Sequence, residues 1–189
     1  MDRVLAVDSG GAGQFRGGLG YEKQIRMLKD AHFMSIADRS ILACWGVKGG
    51  KAGQPFQVTV DPGGPSEREV EALADAEPVK AGELIRIRTT GGGGWGDPLQ
   101  RDPALVVRDV VWRKVSREAA LAAYGVVLTG SLDDDSLGFD EDATTSHRTG
   151  LDRLDHREGE LDRQVFFDRG PGYARLSGGA AHAEVDLRG

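Results

Sequence analysis

The residues best suited to chemistry lie in three glycine-rich clusters. These clusters are DSGGAGQFRGGLG at 8–20, WGVKGGK at 45–51 and GGGGWGDP at 91–98. Glycine lets a backbone approach a ligand closely, and successive N–H groups can then converge on the oxygens of a phosphate or a carboxylate. Each cluster therefore predicts either an anion-binding loop or a tight turn between strands.

The two common nucleotide-binding motifs do not fit this spacing. A Walker A loop that ends in the GK at 50–51 needs glycine at 45 and serine or threonine at 52, where the chain has Trp45 and Ala52. A dinucleotide fingerprint that starts at Gly11 needs its third glycine at 16, where Arg16 stands. We therefore expect no nucleotide site of either kind.

Polar side chains within the clusters are candidates for catalysis and substrate binding. Asp8 and Asp97 flank glycine loops, and either carboxylate can act as an acid or a base or can orient a ligand, although aspartate beside glycine is also common in turns. Arg16 stands between the two halves of the first cluster, and its guanidinium can bind a carboxylate in bidentate fashion. The predicted substrate-binding residues are Ser9, Gly10, Gly11, Arg16, Gly91, Gly92, Gly93, Gly94 and Trp95.

The four successive glycines at 91–94 also lead to a prediction about backbone conformation. They follow the strand-like segment LIRIRTT and precede Trp95. Because glycine is the residue that adopts positive φ without strain, we expect at least one of the four to have a positive φ angle.

No metal site is predicted from this chain. The four histidines, His32, His147, His156 and His182, lack the i, i+4 spacing that places two ligands on one helix face. The single cysteine, Cys44, can form neither an internal disulfide nor a paired-cysteine metal site, which is typical of a reducing compartment. We therefore expect a cytoplasmic protein.

Hydrophobic periodicity predicts strands first and helices later. Alternating apolar residues indicate strands at 19–28, 56–60 and 84–90. Ser66 and Glu69 have capping-box spacing, which favours a short helix at 67–74. Helical spacing after residue 103, and Ser116 as an N-cap for 117–124, predict two further short helices.

Composition and charge narrow the class of protein. The 189 residues are 39% hydrophobic and 29% charged, as in a folded soluble chain, and no apolar run reaches the roughly 20 residues that span a bilayer. Residues 129–189 hold 14 acidic residues and only 7 arginines. We therefore expect neither a nucleic-acid partner nor a membrane partner, and a loosely packed, partly flexible segment from 129 onward.

Taken in order, several segments resemble the C-terminal part of the hydantoinase B/oxoprolinase family. They are DSGGAGQFRGGLG at 8–20, WGVKGGKAG at 45–53, KAGELIRIRTTGGGGWGDPLQRDP at 80–103 and RDVVWRKVSREAALAAYGVVL at 108–128, with FFDRGPGY at 166–173 as a weaker continuation. The resemblance covers about two thirds of the chain. The order of several uncommon motifs makes it much more specific than any one of them.

The resemblance implies a subunit of an ATP-dependent enzyme that opens lactam or hydantoin rings, such as 5-oxoprolinase or N-methylhydantoinase. Related enzymes carboxylate ketones such as acetone and acetophenone. A hydantoinase A-like partner subunit handles the ATP in this family. ATP and a divalent metal are thus expected in the complete complex, with the metal ligands outside this chain.

Members of the B type are several hundred residues long, so the resemblance implies that a larger N-terminal part is missing here. The chain is then either a fragment or a split-gene subunit. We expect an α+β fold with a glycine-looped, mostly antiparallel β region at 1–100, a helical pair at 101–128 and an acidic tail at 129–189.

The expected function is the C-terminal portion of a ring-opening amidohydrolase subunit that is inactive alone. The alternatives are a ketone carboxylase subunit and a noncatalytic assembly module whose glycines only permit close packing. Because apolar surface would be left uncovered without the partners, the isolated chain should associate or dissolve poorly.

Overall fold

The computed structural model of the protein describes residues 2–155 and 167–173. The strands in chain order are β1 Asp2–Leu5, β2 Tyr21–Arg26, β3 Ala31–Ile36, β4 Gly46–Val47, β5 Gln57–Val60, β6 Arg68–Val70, β7 Leu73–Val79, β8 Leu84–Arg88, β9 Leu128–Thr129, β10 Gly138–Phe139 and β11 Phe167–Asp168. The helices are α1 Pro103–Val111, α2 Arg117–Ala122 and α3 Glu141–Asp155, and a 3-10 turn spans Pro98–Gln100.

A five-stranded antiparallel sheet forms the largest element, in the order β1-β2-β8-β5-β6. The strands predicted at 19–28, 56–60 and 84–90 are its three central members, β2, β5 and β8. Val58, Val60 and Ile85 are fully buried on one face and pack with Val70 and Val79. Apolar alternation predicts these strands because their inward side chains supply that core.

The short helix predicted at 67–74 is wrong. Residues 68–70 form β6, which pairs with β5 in the register Val58 to Val70, and β7 begins at Leu73. Val70 is buried against the sheet core, so strand pairing overrides the local capping signal of Ser66 and Glu69. Strand β7 pairs with β3 in a separate two-stranded sheet.

The two helices predicted after residue 103 are confirmed, with the predicted N-cap. Asp102 accepts a hydrogen bond from the Ala104 N–H at 2.9 Å and begins α1. Ser116 Oγ accepts from the Ala119 N–H at 3.0 Å and begins α2. The helices share a second core that includes Val106, Val110, Val115, Ala120, Tyr124 and Val126.

The segment after Thr129 differs from the loose packing that its charge predicts. Helix α3 lies there, and Asp140 caps its first turn by accepting from the Ala143 N–H at 2.9 Å. Thr144 is buried and accepts from the Val127 N–H, while Arg148 donates to the carbonyls of Tyr124 and Arg101. Polar contacts of Asp140, Thr144 and Arg148 therefore help to hold the helix, and hydrophobicity alone does not reveal them.

The architecture is α+β, with mostly antiparallel sheets followed by short helices, as the sequence predicts. The acidic segment predicted to be loosely packed and partly flexible, 129–189, lies partly outside the described residues, at 156–166 and 174–189, as does Phe166. Within the described ranges, no helix has the length and apolar character needed to cross a membrane.

Candidate functional site

The three glycine clusters come together in one bundle of loops, although they lie far apart in sequence. The first loop (8–20) bonds to the third (90–97) through the Gly11 N–H and the Gly92 carbonyl, 2.8 Å apart. The second loop (44–54) bonds to the first, since the Lys51 N–H donates to the Ala12 carbonyl at 2.7 Å. The Gly94 N–H donates to the Lys51 carbonyl at 2.9 Å. Every pair of loops is thus joined backbone to backbone, a structure we call the glycine bundle.

Close approach of these backbones explains why so many positions are glycine. A Cβ on Gly91 would lie 1.6 Å from the Ser9 carbonyl oxygen, and a Cβ on Gly93 would lie 1.7 Å from that of Trp45. A Cβ on Gly94 would lie 2.1 Å from the Ala12 carbonyl oxygen. Since real Cβ atoms do not approach backbone oxygens this closely, only glycine allows these contacts.

The prediction of a positive φ angle within 91–94 is wrong. None of these four glycines has one, whereas the nearby Gly96 has a φ of 72°. The run of glycine serves close packing of adjacent backbones rather than a left-handed turn. The turn itself occurs just after the aromatic residue Trp95.

The N–H groups of the bundle are largely used within it. Those of Gly11, Gly17, Gly91, Gly92 and Gly94 all donate to backbone carbonyls at 2.8–3.0 Å. A phosphate would have to break these bonds to bind there, so this backbone does not fit the polyphosphate of ATP.

Ser9 lies buried at the base of the first loop. Its Oγ donates to the Ala6 carbonyl at 2.6 Å and accepts from the Gly20 N–H at 2.9 Å. One hydroxyl thus ties the entry of the loop to its exit. Gly10, which follows it, is also buried. A Cβ added to Gly10 would lie 2.4 Å from the Gly17 carbonyl oxygen.

The two candidate carboxylates each hold one end of a helical segment. Asp8 has a φ of 59°, and its Oδ1 accepts from the Ser116 N–H at 2.8 Å, beside the start of α2. Asp97 Oδ1 accepts from the Leu99 N–H at 2.8 Å and caps the 3-10 turn. Among the described residues, Oδ2 of neither carboxylate has a hydrogen-bond partner.

Arg16 is held by an internal carboxylate. Its Nε donates to Oδ2 of Asp109 at 3.0 Å, and Arg101 donates to the same oxygen at 2.9 Å. Asp109 is only 1% exposed. Arg101 also donates to the Gln14 carbonyl at 2.9 Å, so two guanidinium groups and one buried carboxylate connect the first loop to α1. The sequence does not single out Asp109, because this residue lies among apolar residues of a helix.

Aromatic side chains project from the bundle at its surface. The rings of Phe15 and Trp95 have centroids 5.5 Å apart, and Lys48 Nζ lies 5.1 Å from the Trp95 ring. Trp45 contacts Phe167, with centroids 5.9 Å apart. Of this group only Trp95 is among the predicted site residues, although each glycine cluster carries an aromatic residue.

The segment at 167–173 extends the bundle by one strand. Phe167 pairs with Val47, and Asp168 accepts from the Ala52 N–H at 2.8 Å. The Arg169 guanidinium lies 5.3 Å from the ring of Trp45 and 4.5 Å from that of Tyr173.

The described residues do not form a metal site. Within 2–155 and 167–173, no three His, Cys, Asp or Glu side chains are placed so that they could hold a metal ion. The clearest pKa shift belongs to Tyr124 in the helical core, where burial raises the pKa of the phenol to about 12. Desolvation also lowers the pKa of the Arg148 guanidinium.

The structure therefore brings together Ser9, Gly10, Gly11, Arg16, Gly91, Gly92, Gly93, Gly94 and Trp95. Fold and site define an α+β protein built around interlocked glycine loops that carry aromatic side chains. The hydantoinase B/oxoprolinase family model matches residues 2–98. The chain belongs to the hydantoinase B/oxoprolinase family.

Named relatives support this assignment. The chain is 36% identical to caprolactamase subunit beta from Pseudomonas jessenii over 153 residues, which cover 76% of this chain and 25% of that subunit. The crystal structure of ATP-dependent caprolactamase from the same organism matches with a TM-score of 0.63 and 31% identity, over 78% of this chain and 25% of the other. The nucleotide-free structure of acetone carboxylase matches with a TM-score of 0.69 and 26% identity, over 84% of this chain and 25% of that chain. The chain thus spans about a quarter of the length of the relatives that it matches.

Proposed function

We propose that this chain is the C-terminal portion of the B-type subunit of an ATP-dependent amidohydrolase that opens lactam or hydantoin rings. It is inactive alone, because three quarters of the length of the matched relatives have no counterpart in it. The observation that carries the proposal is the 36% identity to a caprolactamase subunit over most of the chain.

ATP is used elsewhere in the proposed complex. Several N–H groups of the bundle, including those of Gly11, Gly92 and Gly94, are already bonded to carbonyls, and the described residues offer no cluster of metal ligands. A hydantoinase A-like subunit therefore binds the nucleotide, and the divalent metal is bound outside the described part of this chain. This assignment leaves substrate shaping and assembly as the roles of the chain.

The bundle gives the proposed site a rigid wall. Backbone-to-backbone packing leaves the three loops little freedom, and a site built on rigid elements holds its geometry better than one on mobile loops. The wall itself consists of Ser9, Gly10, Gly11 and 91–94. Trp95 projects from this wall, and Arg16 fixes the position of the wall against α1. Asp8 and Asp97 are the proposed carboxylates, each with Oδ2 left for a ligand.

A second candidate is a subunit of an ATP-dependent ketone carboxylase. The TM-score to acetone carboxylase is 0.69, against 0.63 for caprolactamase, although the sequence identity is lower. A noncatalytic assembly module is the third reading, which the internal packing of glycines such as Gly91 and Gly93 supports.

A chimeric subunit tests these proposals. In the P. jessenii caprolactamase subunit beta, the quarter that this chain matches is replaced by this chain, and the subunit is assembled with its natural partner. We expect ATP-dependent opening of caprolactam by the chimera and no turnover by the isolated chain.

Other outcomes would separate the candidates. An assembled chimera that carboxylates acetone and leaves caprolactam intact would favour the carboxylase. An assembled chimera whose turnover is unaffected by Asp8→Asn and Asp97→Asn would remove the catalytic role of these carboxylates. Turnover of caprolactam by the isolated chain would contradict the proposal that it is only a portion of a subunit.

A further inference from the structure

Three exposed aromatic side chains, Phe15, Trp45 and Trp95, form what we call the aromatic face. Phe15 pairs with Trp95 in an antiparallel bridge, and Trp95 pairs with Val47 in a parallel one. Residues directly opposite in paired strands project to the same side, and so do residues two positions apart in one strand. Phe167 is directly opposite Val47 in the β11–β4 pair and therefore projects to this side, and the Trp45 ring contacts the Phe167 ring with centroids 5.9 Å apart.

The aromatic face is unusually exposed for its composition. Phe15 is 62% exposed, and Trp45 and Trp95 are each 42% exposed. Aromatic side chains bury large apolar areas on association, and tryptophan is enriched among the residues that dominate binding energy at protein interfaces. Several large rings exposed on one rigid surface are typical of an interaction site.

We propose that the aromatic face is the surface on which the remaining part of the B-type subunit docks, through a region of acidic surface. This inference rests on the proposed function, since it takes the chain to be one portion of such a subunit. The length of the relatives favours this occupant: 153 aligned residues correspond to 25% of the caprolactamase subunit, so the rest of such a subunit is about three times larger than this portion.

The charge beside the rings indicates the chemistry of the occupant. Lys48 Nζ lies 5.1 Å from the Trp95 ring, and the Arg169 guanidinium lies 5.3 Å from the Trp45 ring. Neither cation forms an ion pair with a carboxylate among the described residues. Each is thus available to pair with an Asp or Glu of the docked surface, while the rings bury apolar side chains around it.

Trp112 offers a matched control outside the glycine bundle. It follows the last residue of α1, is 53% exposed, and carries Arg108 and Lys114 over its ring at 4.9 and 4.3 Å. It therefore has the exposure and the cationic neighbours of Trp45 and Trp95 but does not lie in the glycine bundle. If exposed tryptophans became protected from oxidation for a reason other than docking, all three tryptophans would be affected.

Hydroxyl-radical footprinting tests the inference on the full chain. Oxidation rates at Trp45, Trp95 and Trp112 are measured by mass spectrometry in the isolated chain and in the chimeric caprolactamase subunit described above. We expect all three to be oxidised readily in the isolated chain. In the chimera the rates at Trp45 and Trp95 should fall several-fold, with that at Trp112 unchanged.

A second arm tests the energetic role of the face. Trp95→Glu places a carboxylate where we expect an acidic, apolar-lined surface to dock, so it should lower the melting temperature of the chimera more than that of the isolated chain. Trp112→Glu should lower both equally. Protection of Trp45 and Trp95 in the isolated chain, or their full oxidation in a folded chimera, would overturn the inference.

These readouts use neither ATP nor substrate, so they separate the inference from the proposed function. A chimera that protects both tryptophans but turns over no substrate would contradict the function alone. A chimera that opens caprolactam while Trp45 and Trp95 remain fully oxidised would contradict the docking surface alone.

Discussion

Arg16 Nε lies 3.0 Å from Oδ2 of Asp109, and this contact joins the first glycine loop to helix α1 across 93 positions of the sequence. The same carboxylate oxygen accepts from Arg101 at 2.9 Å. A buried carboxylate between two guanidinium groups is stable only while all three charges are present, because each is largely removed from water. The contact is thus a structural junction between the bundle and the helical core.

Asp109→Asn should destabilise the chain strongly, by about 3–5 kcal/mol, because it leaves two buried or half-buried guanidinium groups without a counter-charge. Urea unfolding followed by circular dichroism measures the change. Asp30→Asn is the matched control, since Asp30 pairs with Lys80 at 2.9 Å on an exposed surface, and it should leave the midpoint unchanged. Equal effects of the two substitutions would show that the junction contributes little.

Arg16→Lys should lower stability by about 1–3 kcal/mol, because a lysine cannot reproduce the bonds from Nε to Asp109 and from Nη1 to the Gly17 carbonyl. Turnover by the chimera should fall only in proportion to the loss of folded protein, since Arg16 is engaged internally. Loss of turnover without loss of stability would instead return Arg16 to the role that the sequence predicts for it, a contact to the substrate.

Gly91→Ala should prevent the bundle from closing, because the new Cβ would lie 1.6 Å from the Ser9 carbonyl oxygen. Overpacking of this kind costs about 1–3 kcal/mol or more. Gly18→Ala is the control in the same bundle, since its Cβ position has no atom within 4 Å and its φ is not in the left-handed region. That variant should be neutral or stabilised by up to about 1 kcal/mol in thermal unfolding. A tolerated Gly91→Ala would contradict the packing explanation.

The sequence predicts the central strands and the first two helices because their signals are local. Val58, Val60 and Ile85 alternate with polar residues, and Ser116 caps the helix that begins at the next residue by accepting from the N–H three residues ahead. Strand β6 could not be predicted in this way, because Ser66 and Glu69 carry a local helical capping signal, whereas the pairing of Val70 with Val58 depends on a distant segment.

The site shows the same division between local and distant information. Glycine clusters are visible in the sequence. Whether a glycine is needed for a positive φ angle, for anion binding or for close backbone contact depends on which segment of the backbone lies opposite it. Gly93 faces the Trp45 carbonyl oxygen, and no local pattern contains that fact. Asp109 likewise becomes significant only when Arg16 lies beside it.

The two-stranded β3–β7 sheet should make the isolated chain self-associate. Ile36 and Leu73 are directly opposite each other in the pairing and are 77% and 71% exposed. Ile36→Lys with Leu73→Glu should shift the chain toward monomer in size exclusion with light scattering, because a large exposed apolar pair favours association. Val111→Glu with Leu121→Lys makes the same number of changes on another surface and should have a smaller effect. A wild-type chain that is monomeric at all concentrations would contradict this expectation.

Tyr124 should make stability fall at alkaline pH. Burial raises the pKa of its phenol from the usual 10.0 to about 12, and the residue is 2% exposed in the helical core. The folded chain keeps the phenol protonated between these values, while the unfolded chain loses the proton near pH 10. The stabilising contribution is therefore complete below pH 10 and decreases as the pH rises toward 12, by about 1.4 kcal/mol per pH unit. Urea unfolding between pH 9 and 11.5 measures the slope, and tyrosinate absorbance of the folded chain follows the ionisation directly.

Tyr124→Phe lacks the ionisable group and retains most of the ring packing, so its stability should depend less steeply on pH over the same range. The ionisation of lysines and of the other tyrosines affects both proteins equally. Identical slopes for the two proteins would show that Tyr124 ionises at its ordinary pKa in the folded chain.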